Sequence, residues 1–338
     1  MNPGSDLGDG GVVGLKDLGK FLFGISGNKT KTHDAKRNDE KKMGHRRMIA
    51  RGMRLAIFCC AHYGLAMLLE DHIGDICRKA RLQTKTDLAR CAEVAGLAVE
   101  ELQVWETEGL IDREVKVAAL AELVGLDAGK AVKVADGWGP AEVDLSRWAE
   151  LRLVTTAEGF EVNSFVAWDP VTRKATVFDT GWYADDIFAL VEKEDLKVEH
   201  LMITHMHGDH VAAMGDVRKR WPDIRLHTNN EGAPGKSRVQ EGGVIEVGTL
   251  KITPRLTPGH AADGVTYVVE GWANAAPAVA VVGDAVFAGS MGKDFETPAL
   301  AQEKVRTEIL ALPEDTLICP GHGPLTTVGE ERAHNPFF

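Results

Sequence analysis

The chain has 338 residues, 44% of them hydrophobic, with 39 Lys+Arg against 50 Asp+Glu and a formal net charge of −11. That length allows two or three domains with real cores, and the acidic balance excludes bulk electrostatic binding of nucleic acid. The five cysteines (Cys59, Cys60, Cys77, Cys91 and Cys319) are odd in number and show no repeated pair at zinc-ligand spacing, which excludes a disulfide framework and fits a reducing, cytoplasmic setting.

The charge falls in three blocks: residues 1–56 carry a net +6, residues 57–142 a net −6 and residues 143–338 a net −11. The basic head, 1–66, reads as disordered. It is rich in Gly, Lys, Asp and Asn and has little apolar material beyond Phe21-Leu22-Phe23 to offset the entropy of ordering it. From Arg51, a basic stretch followed by the apolar run 55–61 mimics a signal peptide, but it lies late in the chain, carries His62, Tyr63 and Gly64, and is too short to span a membrane. A translation start at Met67 accounts for these oddities, and no membrane attachment is expected.

Residues 67–140 read as a small helical domain. Helices are expected over 68–82, over 87–94 with Thr86 as cap and Gly96 as exit, over 99–108 ending at Gly109, and over 117–124 ending at Gly125. Leu88-Ala89, Ala95-Gly96, Leu102, Trp105-Glu106, Gly109, Leu120-Ala121 and Val124-Gly125-Leu126 resemble the helix-turn-helix of phage-repressor-like proteins. The resemblance would turn Ala98, Val99, Glu100, Glu101 and Gln103 toward the bases. Those glutamates, with Glu106 and Glu108 on the same helix, would meet phosphates without a compensating cation. The domain is therefore expected to serve packing, homodimer formation or protein contacts rather than strong DNA binding.

Residues 143–338 alternate strand-like and helical runs, which implies a layered α/β domain. Strands are expected over 151–156, 162–168, 175–179, 200–204, 225–228, 244–253 as a pair about Gly248, 264–269, 278–282 and 317–319. Helices are expected over 185–194, 208–221 and 299–310. The chemistry gathers where strands end. Thr204-His205-Met206-His207-Gly208-Asp209-His210 follows the apolar run Leu201-Met202-Ile203, and a strand ending in His-x-His would present both rings on one side. Downstream, His260, Asp284 and His322 each close an apolar run beside Gly or Pro, where the backbone can turn and aim a ligand into a cleft.

This set resembles the metallo-β-lactamase superfamily, and within it the type II glyoxalase-like (hydroxyacylglutathione hydrolase-like) branch, over roughly 143–338. The resemblance implies an αβ/βα sandwich, preceded here by the all-α helix-turn-helix-like domain. It implies that His205, His207 and His260 hold one metal ion, that Asp209, His210 and His322 hold a second, and that Asp284 bridges them. Imidazoles and carboxylates suit zinc first, and iron or manganese as well. The implied reaction is hydrolysis of a small-molecule thioester of S-acylglutathione type by a metal-bridging hydroxide, with Asp209 orienting it or carrying a proton. Asp179, in Asp179-Thr180-Gly181, is expected to orient a ligand histidine.

Two departures bear on the substrate. The chain ends sixteen residues after His322, without the C-terminal helical region that helps full-length type II glyoxalases hold glutathione. Gly289-Ser290-Met291-Gly292-Lys293 puts lysine where the short branch keeps arginine, so Lys293 would receive a substrate carboxylate as a point charge. Two other activities stay open at this point: a mononuclear-iron persulfide dioxygenase using part of the same ligand set, and a metabolite-responsive DNA-binding regulator.

A chain starting at Met67 should show no submicromolar, salt-dependent binding to duplex DNA in a filter-binding series. Tight binding that collapses with added salt would move the regulator reading ahead.

Overall fold

The computed structural model describes residues 69–294 and 296–338, and Ala66–Phe338 forms one compact unit. The expectations of a disordered head, a signal-like stretch and a start at Met67 fall outside the described residues.

Five helices open the described chain: α1 (Ile73–Gln83), α2 (Leu88–Ala95), α3 (Val99–Glu108), α4 (Val117–Leu123) and α5 (Ala128–Ala135). Asp87, not Thr86, caps α2. Its carboxylate accepts from the Arg90 N–H at 2.9 Å, three residues on, while the Thr86 hydroxyl pairs with that of Thr84 at 2.7 Å. The sequence reading missed α5, which Asp127 caps in the same way through the Lys130 N–H. Its short apolar face, Ala131 and Val134, is too brief a periodic signal beside Gly129 to stand out.

The expectation for α3 needs correction. Glu106 is only 2% exposed and takes two hydrogen bonds of 2.7 Å from the Arg81 guanidinium, and Arg113 donates to Glu101 at 2.8 Å. Both carboxylates have cationic partners that sequence spacing did not reveal, leaving Glu100 and Glu108 exposed. The helices bury Ile76, Cys77, Cys91, Leu102, Trp105 and Leu120 in a core shared with Met291 and Phe337. The Lys130 ammonium donates to the carbonyls of Arg332 and Phe338, tying α5 to the end of the chain.

The remainder is a four-layer sandwich. The first sheet runs β1 (Leu151–Ala157), β2 (Glu161–Trp168), β3 (Lys174–Phe178), β4 (Lys197–Met202), β5 (Arg225–His227) in space as in sequence. Its first three strands are antiparallel, and β3, β4 and β5 are parallel. The second sheet contains β6 (Ile245–Val247), β7 (Leu250–Leu256), β8 (Val265–Glu270), β9 (Val279–Gly283), β10 (Leu317–Pro320) and β11 (Thr326–Thr327), laid side by side from β11 to β6. Alternation sorts the side chains. Phe165, Phe178 and Met202 face Ile252, Tyr267 and Val281 between the sheets. Val166, Val177 and Leu201 face outward onto Ile187 and Val191 of α6 (Asp185–Lys193). Val268, Ala280 and Ile318 cover the other outer face with Val305, Ile309 and Val328.

Two expected helices are divided. The stretch 208–221 forms α7 (Gly208–Val211) and α8 (Met214–Arg220), because the first turn carries site residues and the second packs Val217 on the sheet. The stretch 299–310 forms α9 (Pro298–Lys304), continued by a π-helical turn, Val305–Ile309, before the short α10 (Val328–His334) near the end of the chain. Among the described residues no helix is long and apolar enough to cross a membrane.

Removing one partner of a buried ion pair strands the other charge. Arg81→Met should therefore lower unfolding stability by about 3 kcal/mol in a urea titration, and Arg81→Met with Glu106→Leu should recover most of that loss. Equal stability of the single variant and the parent would contradict the burial of Glu106.

Candidate metal centre

The site lies where four strands of the two sheets deliver their following loops to one place. After β4, the chain passes through Thr204 to His205 and His207, and then into α7 with Asp209 and His210. His260 follows β7, Asp284 follows β9, and His322 follows β10. The strand β4 stops at Met202, so the two-residue repeat of a strand does not align His205 with His207. The loop brings them together instead, ring centroids 4.5 Å apart at 81°.

Ligand atoms of His205, His207 and His260 lie within 4.8 Å of one another, as do those of Asp209, His210 and His322, and those of His205, His210 and Asp284. The third group joins the other two. Asp284 Oδ2 is 3.4 Å from Nε2 of both His260 and His322 and 4.0 Å from that of His205, and its Oδ1 is 3.3 Å from His210 Nε2. All seven residues named from the sequence thus meet at one point. His205, His210, Asp284 and His322 are buried, and His207 is exposed at the open side.

The surroundings fix ring orientation. Asp179 accepts from the Thr204 N–H at 2.8 Å and the Thr204 hydroxyl at 2.7 Å, and its Oδ2 lies 2.8 Å from His210 Nδ1. His322 Nδ1 donates to the Glu161 carbonyl at 2.6 Å, and His260 Nδ1 donates to the Lys293 carbonyl at 3.1 Å. In each case the Nε2 atom is left to face the centre. Gly321 is a steric requirement: a Cβ there would lie 2.3 Å from Asp284 Oδ1 and 2.5 Å from His210 Cε1.

A metal fits these residues on two grounds. Three buried polar atoms in the cluster, His205 Nε2, His210 Nε2 and Asp284 Oδ1, have no hydrogen-bond partner, although buried polar atoms are ordinarily paired. The cluster also demands positive charge. Burial opposes protonation of His210, yet Asp179 and Asp284 raise its pKa to about 10. Burial likewise opposes the charge on His322, which hydrogen bonds to Asp209 and Asp284 lift to about 11. Burial, reinforced by His210, pushes His205 down to about 2. Asp284 stays well below the usual carboxylate range against its burial, held there by His210 and His322. Cations bound here would replace the protons of His210 and His322, since ligand imidazoles bind in neutral form.

A cavity of about 280 Å³ opens onto the cluster. Phe160, Phe287 and Lys293 line it beside the histidines, and so do Glu70, Asp71 and Lys79 from the start of the helical region. The sequence reading missed these last three. They lie more than 120 residues before the His-x-His motif, and nothing in local periodicity signals so distant a contact. A larger cavity of about 780 Å³, lined by His200 and His227 among others, is separate from the cluster.

The metallo-beta-lactamase superfamily profile matches residues 157–322. The chain belongs to that superfamily, whose members are mostly metal-dependent hydrolases. It is similar to a hydroxyacylglutathione hydrolase of Methylobacterium nodulans, 30% identical over 215 residues covering 50% of this chain and 80% of the relative. It is also similar to the hydroxyacylglutathione hydrolase GloC of Haemophilus influenzae, 27% identical over 208 residues covering 53% of this chain and 93% of that one. Among solved structures, ETHE1 from Myxococcus xanthus is 26% identical with a TM-score of 0.49, covering 55% of this chain and 83% of its own.

Gly321→Ala should reduce bound metal by at least tenfold in elemental analysis. Gly215→Ala, where an added Cβ meets nothing within 4 Å, should leave it unchanged. Metal loading at pH 7 should release protons, measurable by calorimetry in buffers of different ionisation enthalpy. Full metal content in a folded Gly321→Ala chain would contradict the packing around Asp284.

Proposed function

We propose that the protein is a metal-dependent thioesterase that cleaves a small thioester of S-acylglutathione type. In this reading His205, His207 and His260 hold one divalent ion, Asp209, His210 and His322 hold the other, and Asp284 belongs to both. Zinc suits the donor set best, and iron or manganese would also fit it. The observation that carries the reading is Asp284 standing within 4.0 Å of His205, His210, His260 and His322 at the floor of an open cavity. The likeness to relatives named hydroxyacylglutathione hydrolase supports the choice of thioester.

A pair of divalent ions lowers the pKa of water to about 7 and polarises a carbonyl. The protein's own residues supply the rest. Asp209, half-buried with Oδ2 3.2 Å from His322 Nε2, would give that oxygen to the metal site and its Oδ1 to the attacking water, which it orients by accepting a hydrogen bond. Asp179 keeps His210 oriented through its contact with Nδ1. Phe160 and Phe287, with ring centroids 5.8 and 5.9 Å from that of His322, shield one side of the reacting group from bulk water. Lys293, exposed at the cavity, meets a substrate carboxylate with its ammonium.

With S-lactoylglutathione as substrate, Asp284→Ala should lower kcat/KM by more than about 100-fold in a chain that remains folded. Lys293→Ala should raise KM several-fold with little change in kcat, the mark of a contact made equally in ground and transition states. Full turnover in Asp284→Ala would refute the shared-ligand role. One iron per chain, together with oxygen consumption on a persulfide and no thioester hydrolysis, would replace this reading with the dioxygenase.

A further inference from the structure

The helical region supplies part of the wall of the metal cavity, and it does so through charged residues. Asp71 and Lys79 are 6% and 3% exposed and form a buried ion pair with each other. Lys79 also donates to the Met291 carbonyl at 2.8 Å and lies 5.2 Å from the centroid of the Phe287 ring. The lysine thus ties the first helix to the loop between Asp284 and Lys293, and its charge is cancelled by Asp71 where the two sit. Glu70 differs. It is exposed and lines the same cavity as His207, Asp209 and His322. Its backbone and Cβ press on Gly323, directly after His322: a Cβ on Gly323, whose φ is +70°, would lie 3.0 Å from Glu70 Cβ and 3.1 Å from Glu70 N. Among the described residues no ion pair within 4.0 Å involves Glu70; partial burial raises its carboxyl pKa, and His322 and Lys79 favour the charged form at the cavity wall.

The cavity therefore carries one exposed carboxylate, Glu70, and one exposed ammonium, Lys293, at separate places on its wall. Lys293 stands on the His260 side, where its own carbonyl holds His260 Nδ1. Glu70 stands on the His322 side. From this juxtaposition we infer that Glu70 is a specificity-determining residue, selecting thioesters that carry an ammonium or other cationic N–H group within a short reach of the sulfur. The inference rests on the thioesterase reading and narrows its substrate class. A carboxylate at the Lys293 end is compatible with it, whereas a second anion at the Glu70 end would meet like charge, and such repulsion discriminates as strongly as attraction. The helical region then contributes to recognition by this enzyme, in addition to packing against the sandwich.

The test uses the zinc-loaded full chain and three thiols of similar size: 2-aminoethanethiol, 2-mercaptoethanol and 3-mercaptopropionate. Their sulfur anchors at the metal centre, and binding is read by calorimetry without any turnover. The parent should bind 2-aminoethanethiol roughly fivefold tighter than 3-mercaptopropionate, the scale of a partly exposed charge pair. Glu70→Gln should erase that preference and Glu70→Lys should invert it. Glu100→Gln, on the exposed side of α3, should leave it unchanged. The S-lactoyl thioesters of the same thiols form a separate arm. Hydrolysis of none of them, with the charge preference intact and dependent on Glu70, would defeat the thioesterase reading and keep the recognition role. Equal affinity for the three thiols in the parent, or the same preference in Glu70→Gln, would overturn the inference even if every thioester is cleaved.

Discussion

A buried carboxylate surrounded by imidazoles is the constraint on which this molecule is built. Asp284 is 7% exposed and has nitrogen atoms of four histidines within 4.0 Å. Taking a carboxylate out of water is costly unless positive charge or strong hydrogen bonds replace its hydration. The protein meets that demand with groups that are themselves oriented from behind by Asp179, the Glu161 carbonyl and the Lys293 carbonyl. Such a cluster, held away from bulk water with three polar atoms unpaired, is suited to cations rather than to packing.

The fold serves this point by ending strands there. Strands β4, β7, β9 and β10 come from both sheets, and the loops that follow them converge on the centre. Convergence leaves little room, which explains Gly321 and also Gly283, whose φ is +52° and where a Cβ would come 2.5 Å from the Thr204 hydroxyl. The loop from Phe287 to Lys293 is clamped from the far side. Glu331, fully buried, accepts from the Gly289 N–H at 3.0 Å, and Asn335 donates to the Ser290 carbonyl at 2.8 Å. The helical region holds the same loop through Lys79 and Met291. Substrate wall and metal ligands thus share one support.

Much of this was legible in the sequence, and the reason is local. His205, His207, Asp209 and His210 lie within six residues, and His260, Asp284 and His322 each mark the end of an apolar run, so period and punctuation marked each of them and the resemblance to the metallo-β-lactamase superfamily joined them into one set. The strands of the sandwich, apart from the two-residue β11, were legible for the same reason, to within a few residues at their ends. What stayed hidden was long-range. Glu106 looked like a surface glutamate because its partner Arg81 lies 25 residues away on another helix. Glu70 and Lys79 carried no local signal, because the segments they face, around Gly323 and Met291, lie more than 200 residues on. The His-x-His pair was found by a correct pattern with an incorrect cause, since a loop rather than a strand aligns it.

Anomalous X-ray scattering from crystals of the zinc-loaded protein tests the central claim most directly. The account predicts two zinc peaks per chain, about 3.5–4 Å apart as in other two-metal sites, one among His205, His207 and His260 and one among Asp209, His210 and His322, with Asp284 between them. A single peak at the first set, with Asp209 and His322 turned away from it, would contradict the account.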